Sequence, residues 1–287
     1  SAASDVYQRQ VRRSLDWMKR ILDDYQTEAR TYANFPTLYL SLVNEHEPML
    51  ELYRGRLQFV DSTGSKVLQD FHRDDYRSYI GEATEPFSFL KSPYYLPMGY
   101  PEGIYRVGPL ARLVVTPTMG TPQADQELAE FRGYNHSSSF LNHYARLIEC
   151  LFGLERMEEH LQVPASLNTR VQAFARAKVA EGVGVTEAPR GTLIHHYKVD
   201  EQGLLTWGNM IISTNHNSLA MNRGVAQVAR RYVDSRQLTE GMLNRVEAVI
   251  RTFDPCLSCS THAAGEMPLQ VRLYGADGAL LDEARRG

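Results

Sequence analysis

The chain has 287 residues, with 31 Lys or Arg against 34 Asp or Glu and a formal net charge of −3, so it has no general attraction for nucleic acid or an anionic membrane. Hydrophobic residues make up 43% and charged residues 23%, ordinary proportions for a globular chain long enough to bury a large core. No apolar run reaches the roughly 18 residues of a membrane span and no signal-peptide core follows Ser1, while three cysteines are too few for a disulfide framework and point to a reducing compartment.

Val11, Leu15, Met18, Leu22 and Tyr25 recur every three to four residues, which predicts an amphipathic helix packed on a core. Leu57–Val60, Asp61–Gly64 and Lys66–Leu68 read as strand, turn and strand. Residues 86–122 are rich in Pro, Gly and Tyr and read as one long ordered loop. From Gln123 to His160 the pattern is helical again, with Phe140, Tyr144, Leu147, Ile148 and Leu151 on one face. Cys150, alone among apolar neighbours, reads as a buried filler. His136, His143 and His160 are too irregularly spaced to converge on one metal.

Leu167, Val171, Phe174 and Lys178 suggest a further helix, stopped by Gly182-Val183-Gly184. Glu187-Ala188-Pro189-Arg190-Gly191 is a turn, and Thr192–Val199, Asp200–Gly203 and Leu204–Ser213 are strand, turn and return strand. His195 and His196 point to opposite faces there, so at most one could face a site. Two helices follow, through Leu219, Val225, Val228 and Tyr232, and through Leu238, Met242, Val246 and Ile250. A strand at Leu269–Leu273 and an Asp277-Gly278 turn close the chain. The organisation predicted is α+β and predominantly helical, a long helix bundle with inserted β-hairpins.

The chemistry concentrates in Asp254-Pro255-Cys256-Leu257-Ser258-Cys259-Ser260-Thr261-His262. A C-x-x-C pair brings two sulfurs together, for a thiophilic metal, for a redox disulfide or only as two buried thiols. Pro255 fixes its own backbone angle and biases Asp254 towards an extended conformation. Upstream, Arg190 between Pro189 and Gly191 stands in a rigid turn able to fix a guanidinium.

Read together, Gly184–Leu193 and Asp254–His262 resemble the large subunit of nickel–iron hydrogenases. Tyr105–Arg112, Ile194–Tyr197 and Leu219–Arg223 look like its NAD-linked, bidirectional, cytoplasmic branch. The resemblance implies reversible oxidation of H2 to protons and electrons, coupled to NAD or NADP. It implies that Cys256 binds nickel terminally, that Cys259 bridges nickel to an iron carrying cyanide and carbonyl ligands, and that His262 binds Mg2+ or a similar ion. Pro189, Arg190 and Thr214 would line the cyanide pocket. Arg190, oriented by Asp254, would overhang the open site and stabilise charge there. Implied partners are a small iron–sulfur subunit, an NAD-linked diaphorase module and a maturation endopeptidase.

Two departures accompany the resemblance. The family's R-x-C-G-x-C motif, source of the other two thiolates, is absent, and Cys150 cannot replace it. Residues 1–262 are therefore expected to be the C-terminal portion of the large-subunit domain, incomplete by itself. Residues 263–287 are expected to be an extension removed on maturation. A non-catalytic hydrogenase-like metal-binding or scaffold protein is the competing expectation.

Overall fold

The apolar stripe near the N-terminus becomes a helix, α1 (Ala2–Asp24), which buries Leu15, Met18 and Leu22. The computed structural model describes residues 2–24, 32–163, 169, 172, 179–234, 237–261 and 269–286. β1 (Leu38–Val43) is buried along its whole length and pairs antiparallel with β2 (Arg56–Val60). β2 turns through Asp61–Gly64 into β3 (Val67–Phe71), as expected. The Asp61 carboxylate accepts the backbone N–H groups of Thr63 and Ser65, and Gly64 takes a positive φ of 74° that favours glycine.

The long loop expected over 86–122 is not one loop. β4 (Ile80–Thr84) and β5 (Lys91–Tyr95) form a hairpin across its start. β6 (Tyr105–Arg106) then runs parallel to β1, giving the sheet order β3-β2-β1-β6. A buried helix, α2 (Pro109–Val115), follows directly. Pro109 is its first residue, where a missing N–H is harmless, so here proline starts a helix rather than breaking one.

The helix expected from Gln123 to His160 divides into α3 (Pro122–Phe131) and α4 (Leu141–Leu161). The apolar period runs on across the break, but Gly133 and Asn135 interrupt the helix between them. α1 and α3 pack on α4, and Leu15, Leu110, Phe131, Tyr144 and Ile148 share one core.

The helix expected over Leu167 to Lys178 falls outside the described residues. Its supposed stop, Gly182-Val183-Gly184, is instead part of β7 (Glu181–Ala188). β7 pairs with β8 (Gly191–Val199), and β8 with β9 (Leu205–Ile211), in an antiparallel sheet of order β7-β8-β9. α5 (Ser213–Tyr232) and α6 (Glu240–Phe253) pack on one another over a core containing Tyr32, Phe35, Met221, Val228 and Val249. A short helix, α7 (Leu257–Thr261), carries Cys259. The chain closes in the hairpin β10 (Leu269–Tyr274) and β11 (Leu280–Arg286), where Asp282 accepts the Leu238 N–H at 2.7 Å. The fold is α+β, with helices and sheets sharing the core.

Candidate functional site

Arg190 occupies the tip of a tight hairpin. Ala188 pairs with Gly191 across β7 and β8, leaving only Pro189 and Arg190 in the turn. The backbone behind it is held by glycines. Gly191 takes φ 140°, and a side chain there would run into Val107, while a Cβ on Gly108 would meet the Arg190 carbonyl oxygen at 2.6 Å. The Val107-Gly108 segment that abuts the turn is itself clamped by Asn217. The Asn217 side chain accepts the Val107 N–H at 3.0 Å and donates to the Val107 carbonyl at 3.3 Å.

The cysteine turn begins where α6 ends. Asp254 is its C-terminal cap in the left-handed conformation, φ 49° and ψ 54°, and its N–H bonds back to the Arg251 carbonyl. This corrects the extended conformation expected ahead of Pro255. Closing the helix outweighs the proline's bias, and Asp tolerates the left-handed region better than most residues. Pro255 then leads into Cys256 and α7, and the two sulfurs are joined as a Cys256–Cys259 disulfide with Cα atoms 5.4 Å apart.

Two adjacent side chains on α5 hold both turns. Ser213 Oγ donates to the Gly191 carbonyl at 3.0 Å, and Thr214 Oγ1 accepts the Cys256 N–H at 3.0 Å. Arg190 Nε lies 3.1 Å from Asp254 Oδ2, each side chain 45% exposed. Pro189, Arg190, Thr214, Asp254, Cys256 and Cys259 thus meet in one place, although the two motifs are far apart in the chain. His262 lies outside the described residues.

Behind the arginine turn lies a buried pair of charged side chains. Glu187 is buried on β7, and Arg112 on α2 is paired with it at 2.9 Å. Burial pulls the Arg112 pKa down, but Glu149 and then Glu187 more than reverse this, so the guanidinium is held charged. On the buried first turn of α5, His216 Nδ1 lies 2.5 Å from the Tyr105 hydroxyl, and desolvation pushes its pKa down to about 3. A cavity of about 430 Å³ opens beside Pro189 and Asp254, lined also by Arg146, Glu149 and Phe152. Cys150 lines it too and is exposed, which corrects its reading as a buried filler; it sits on the outward side of α4.

Reduced to thiolates, the two sulfurs of this turn would be soft donors of the kind nickel takes, and they fit half of the four-thiolate set that the resemblance implies. Among the described residues no group of three or more His, Cys, Asp or Glu gathers. Ser213, Asn217 and Arg112 carry geometry that sequence inspection left without a role. The run Ser213–Ser218 is polar in the sequence, and its burial at the start of α5 is the sign that it serves a site.

The nickel-dependent hydrogenase family profile matches residues 50–262. The chain is 38% identical over 269 residues to the NAD-reducing hydrogenase HoxS subunit beta of Cupriavidus necator, covering 91% of this chain and 55% of that one. It is 35% identical over 201 residues to the sulfhydrogenase 2 subunit alpha of Pyrococcus furiosus, covering 69% of this chain and 47% of that one. Its fold matches an NAD+-reducing nickel–iron hydrogenase crystallised in the H2-reduced state, with a TM-score of 0.84 at 35% identity, covering 91% of this chain and 58% of that one. A Ni-Fe-Se hydrogenase from D. vulgaris Hildenborough, with a TM-score of 0.63 at 20% identity over 91% of this chain and 60% of that one, shares the fold alone. The chain spans about half the length of the curated relatives it matches. With most of its residues inside the family match and with relatives this similar, the chain belongs to the nickel-dependent hydrogenase family.

Proposed function

We propose that the chain forms the C-terminal portion of the catalytic large subunit of a nickel–iron hydrogenase, which oxidises H2 reversibly to protons and electrons and exchanges the electrons with NAD or NADP. The observation that carries this reading is the Ser213-Thr214 pair, whose two hydroxyls fasten the arginine turn and the cysteine turn to one helix end. The similarity to NAD-reducing relatives supports the choice of acceptor.

Cys256 and Cys259, as reduced thiolates, would hold nickel and the nickel–iron bridge, with the other two sulfurs supplied from elsewhere in the large subunit. When bound, the nickel–iron group with its cyanide and carbonyl ligands supplies soft metals that polarise dihydrogen. Arg190 adds a positive charge beside that centre, oriented by the ion pair of its Nε with Asp254 Oδ2 at 3.1 Å, to meet a developing negative charge. Thr214 accepts the Cys256 N–H, so its own O–H is left to donate to a cyanide, and the Pro189 turn walls the pocket. His262 would bind Mg2+ or a similar ion, and residues 263–287 would be removed by a maturation endopeptidase. A small iron–sulfur subunit would carry electrons to a diaphorase module, all in the cytoplasm.

The competing reading is a non-catalytic hydrogenase-like metal-binding or scaffold protein. The two readings separate in the full-length large subunit co-expressed with its small subunit, by nickel content and hydrogen-dependent NAD+ reduction. Cys259→Ser should abolish nickel–iron assembly. Arg190→Lys should keep the metals and lose about 10- to 100-fold in turnover, because a lysine cannot hold the fixed fork beside the site. A protein that is nickel-free and inert towards hydrogen supports the scaffold.

A further inference from the structure

We infer that Arg112 is a positioning residue for Arg190, acting through the carbonyls of the turn that presents it. Arg112 is 2% exposed, and its guanidinium is fully used. Nε donates to Glu149 Oε1 at 2.5 Å and Nη2 to Glu149 Oε2 at 2.8 Å. Nη1 donates to Glu187 Oε2 at 2.9 Å. The remaining two donors reach the backbone: Nη1 holds the Ala188 carbonyl and Nη2 the Pro189 carbonyl, each at 2.9 Å. An arginine has five N–H donors in a rigid fork, and all five are engaged here. The two carbonyls are those of the residues just before Arg190, so the fork sets the planes of the peptides leading to it.

The carboxylates fix the fork in turn. Glu149 grips one edge in bidentate fashion from α4. Glu187 is anchored by the Leu42 N–H at 3.0 Å and the Thr192 hydroxyl at 2.8 Å. Strands β1 and β8 and helix α4 therefore all bear on the hairpin tip through one side chain. A lysine could keep the charge, but its three donors cannot serve two carboxylates and two carbonyls in these directions.

This inference rests on the proposed placement of Arg190 beside the metals. The test uses the full-length large subunit with its small subunit and compares Arg112→Lys, Arg190→Lys and the double variant. In the metal-free protein, Arg112→Lys should speed amide hydrogen exchange across residues 188–191. In the loaded enzyme it should lower kcat about 10- to 100-fold with little change in KM for H2, because a misplaced group costs the transition state most. The double variant should be no slower than Arg190→Lys alone, since both act through one guanidinium. Unchanged exchange, or losses that multiply, would overturn the positioning role. Full turnover in Arg190→Lys would instead sink the placement of Arg190, and the exchange result would still judge Arg112. If Arg112→Lys fails to fold, Glu149→Gln weakens the same fork from one edge and should show the same pattern at smaller size.

Discussion

Gly108 and Arg190 meet backbone to backbone, so closely that a Cβ on Gly108 would stand 2.6 Å from the Arg190 carbonyl oxygen. Gly108 also holds φ 99°, a conformation that side chains rarely adopt. Contact and conformation both demand glycine, and the neighbour is rigid backbone. Gly108→Ala should therefore push the arginine turn away and cost about 1–3 kcal/mol of stability. Urea unfolding measures the stability, and turnover of the assembled enzyme should fall with it. A Gly108→Ala protein of parental stability and turnover would show that the two segments are not tightly packed.

Burial sets a second expectation, in pH. Desolvation lowers the pKa of His216 to about 3, and burial together with Arg146 lowers that of His143 to about 4, whereas an unfolded histidine titrates near pH 6.5. Both folded values are depressed, so below pH 6.5 the unfolded chain binds more protons than the folded one. Their contribution to stability is complete above about pH 6.5 and is lost as pH falls towards 4 and then 3, at up to about 1.4 kcal/mol per unit per histidine. His216→Asn keeps an acceptor for the Tyr105 hydroxyl but removes one titrating group. Urea midpoints followed from pH 7 to pH 4 should show a shallower acid slope in the variant. An unaltered slope would remove His216 from the account.

How legible all this was in the sequence depended on whether the signal was local. α1 was visible because its apolar stripe has a clear helical period, and β8 and β9 because Asp200–Gly203 is an unmistakable turn between alternating strands. The cysteine turn and the arginine turn stood out by composition, and their resemblance to one family placed them together before any geometry was known. The rest was non-local. α2 lay hidden in a Pro-, Gly- and Tyr-rich stretch whose proline turns out to be a helix start. The break between α3 and α4 was masked by an apolar period that continues on both sides. Arg112 lay in a stretch that reads as loop and gave no sign of its role, because its partners Glu149 and Glu187 come from elements distant in the chain. Asp254 was misjudged because the cap of α6 outweighs the restriction imposed by Pro255.

Thr214 offers the sharpest separation of shape from hydrogen bonding. It is 4% exposed, and its Oγ1 is the acceptor for the Cys256 N–H. Thr214→Val preserves the volume and the branched shape but deletes the acceptor, leaving an N–H in the cysteine turn without its partner. Thr214→Ser deletes a methyl group and keeps the acceptor. The Cys256 N–H is part-buried, and leaving it unmet costs about 1–2 kcal/mol, against about 0.8 kcal/mol for a lost methyl. The valine variant should therefore be the less stable of the two, and the more prone to lose nickel if Cys256 is a ligand. Thermal unfolding of the chain reads the first effect and nickel per assembled enzyme reads the second. Equal stability in the two variants would mean that Thr214 does not hold the cysteine turn. A stability difference without any difference in nickel retention would leave the turn intact as structure and count against Cys256 as a ligand.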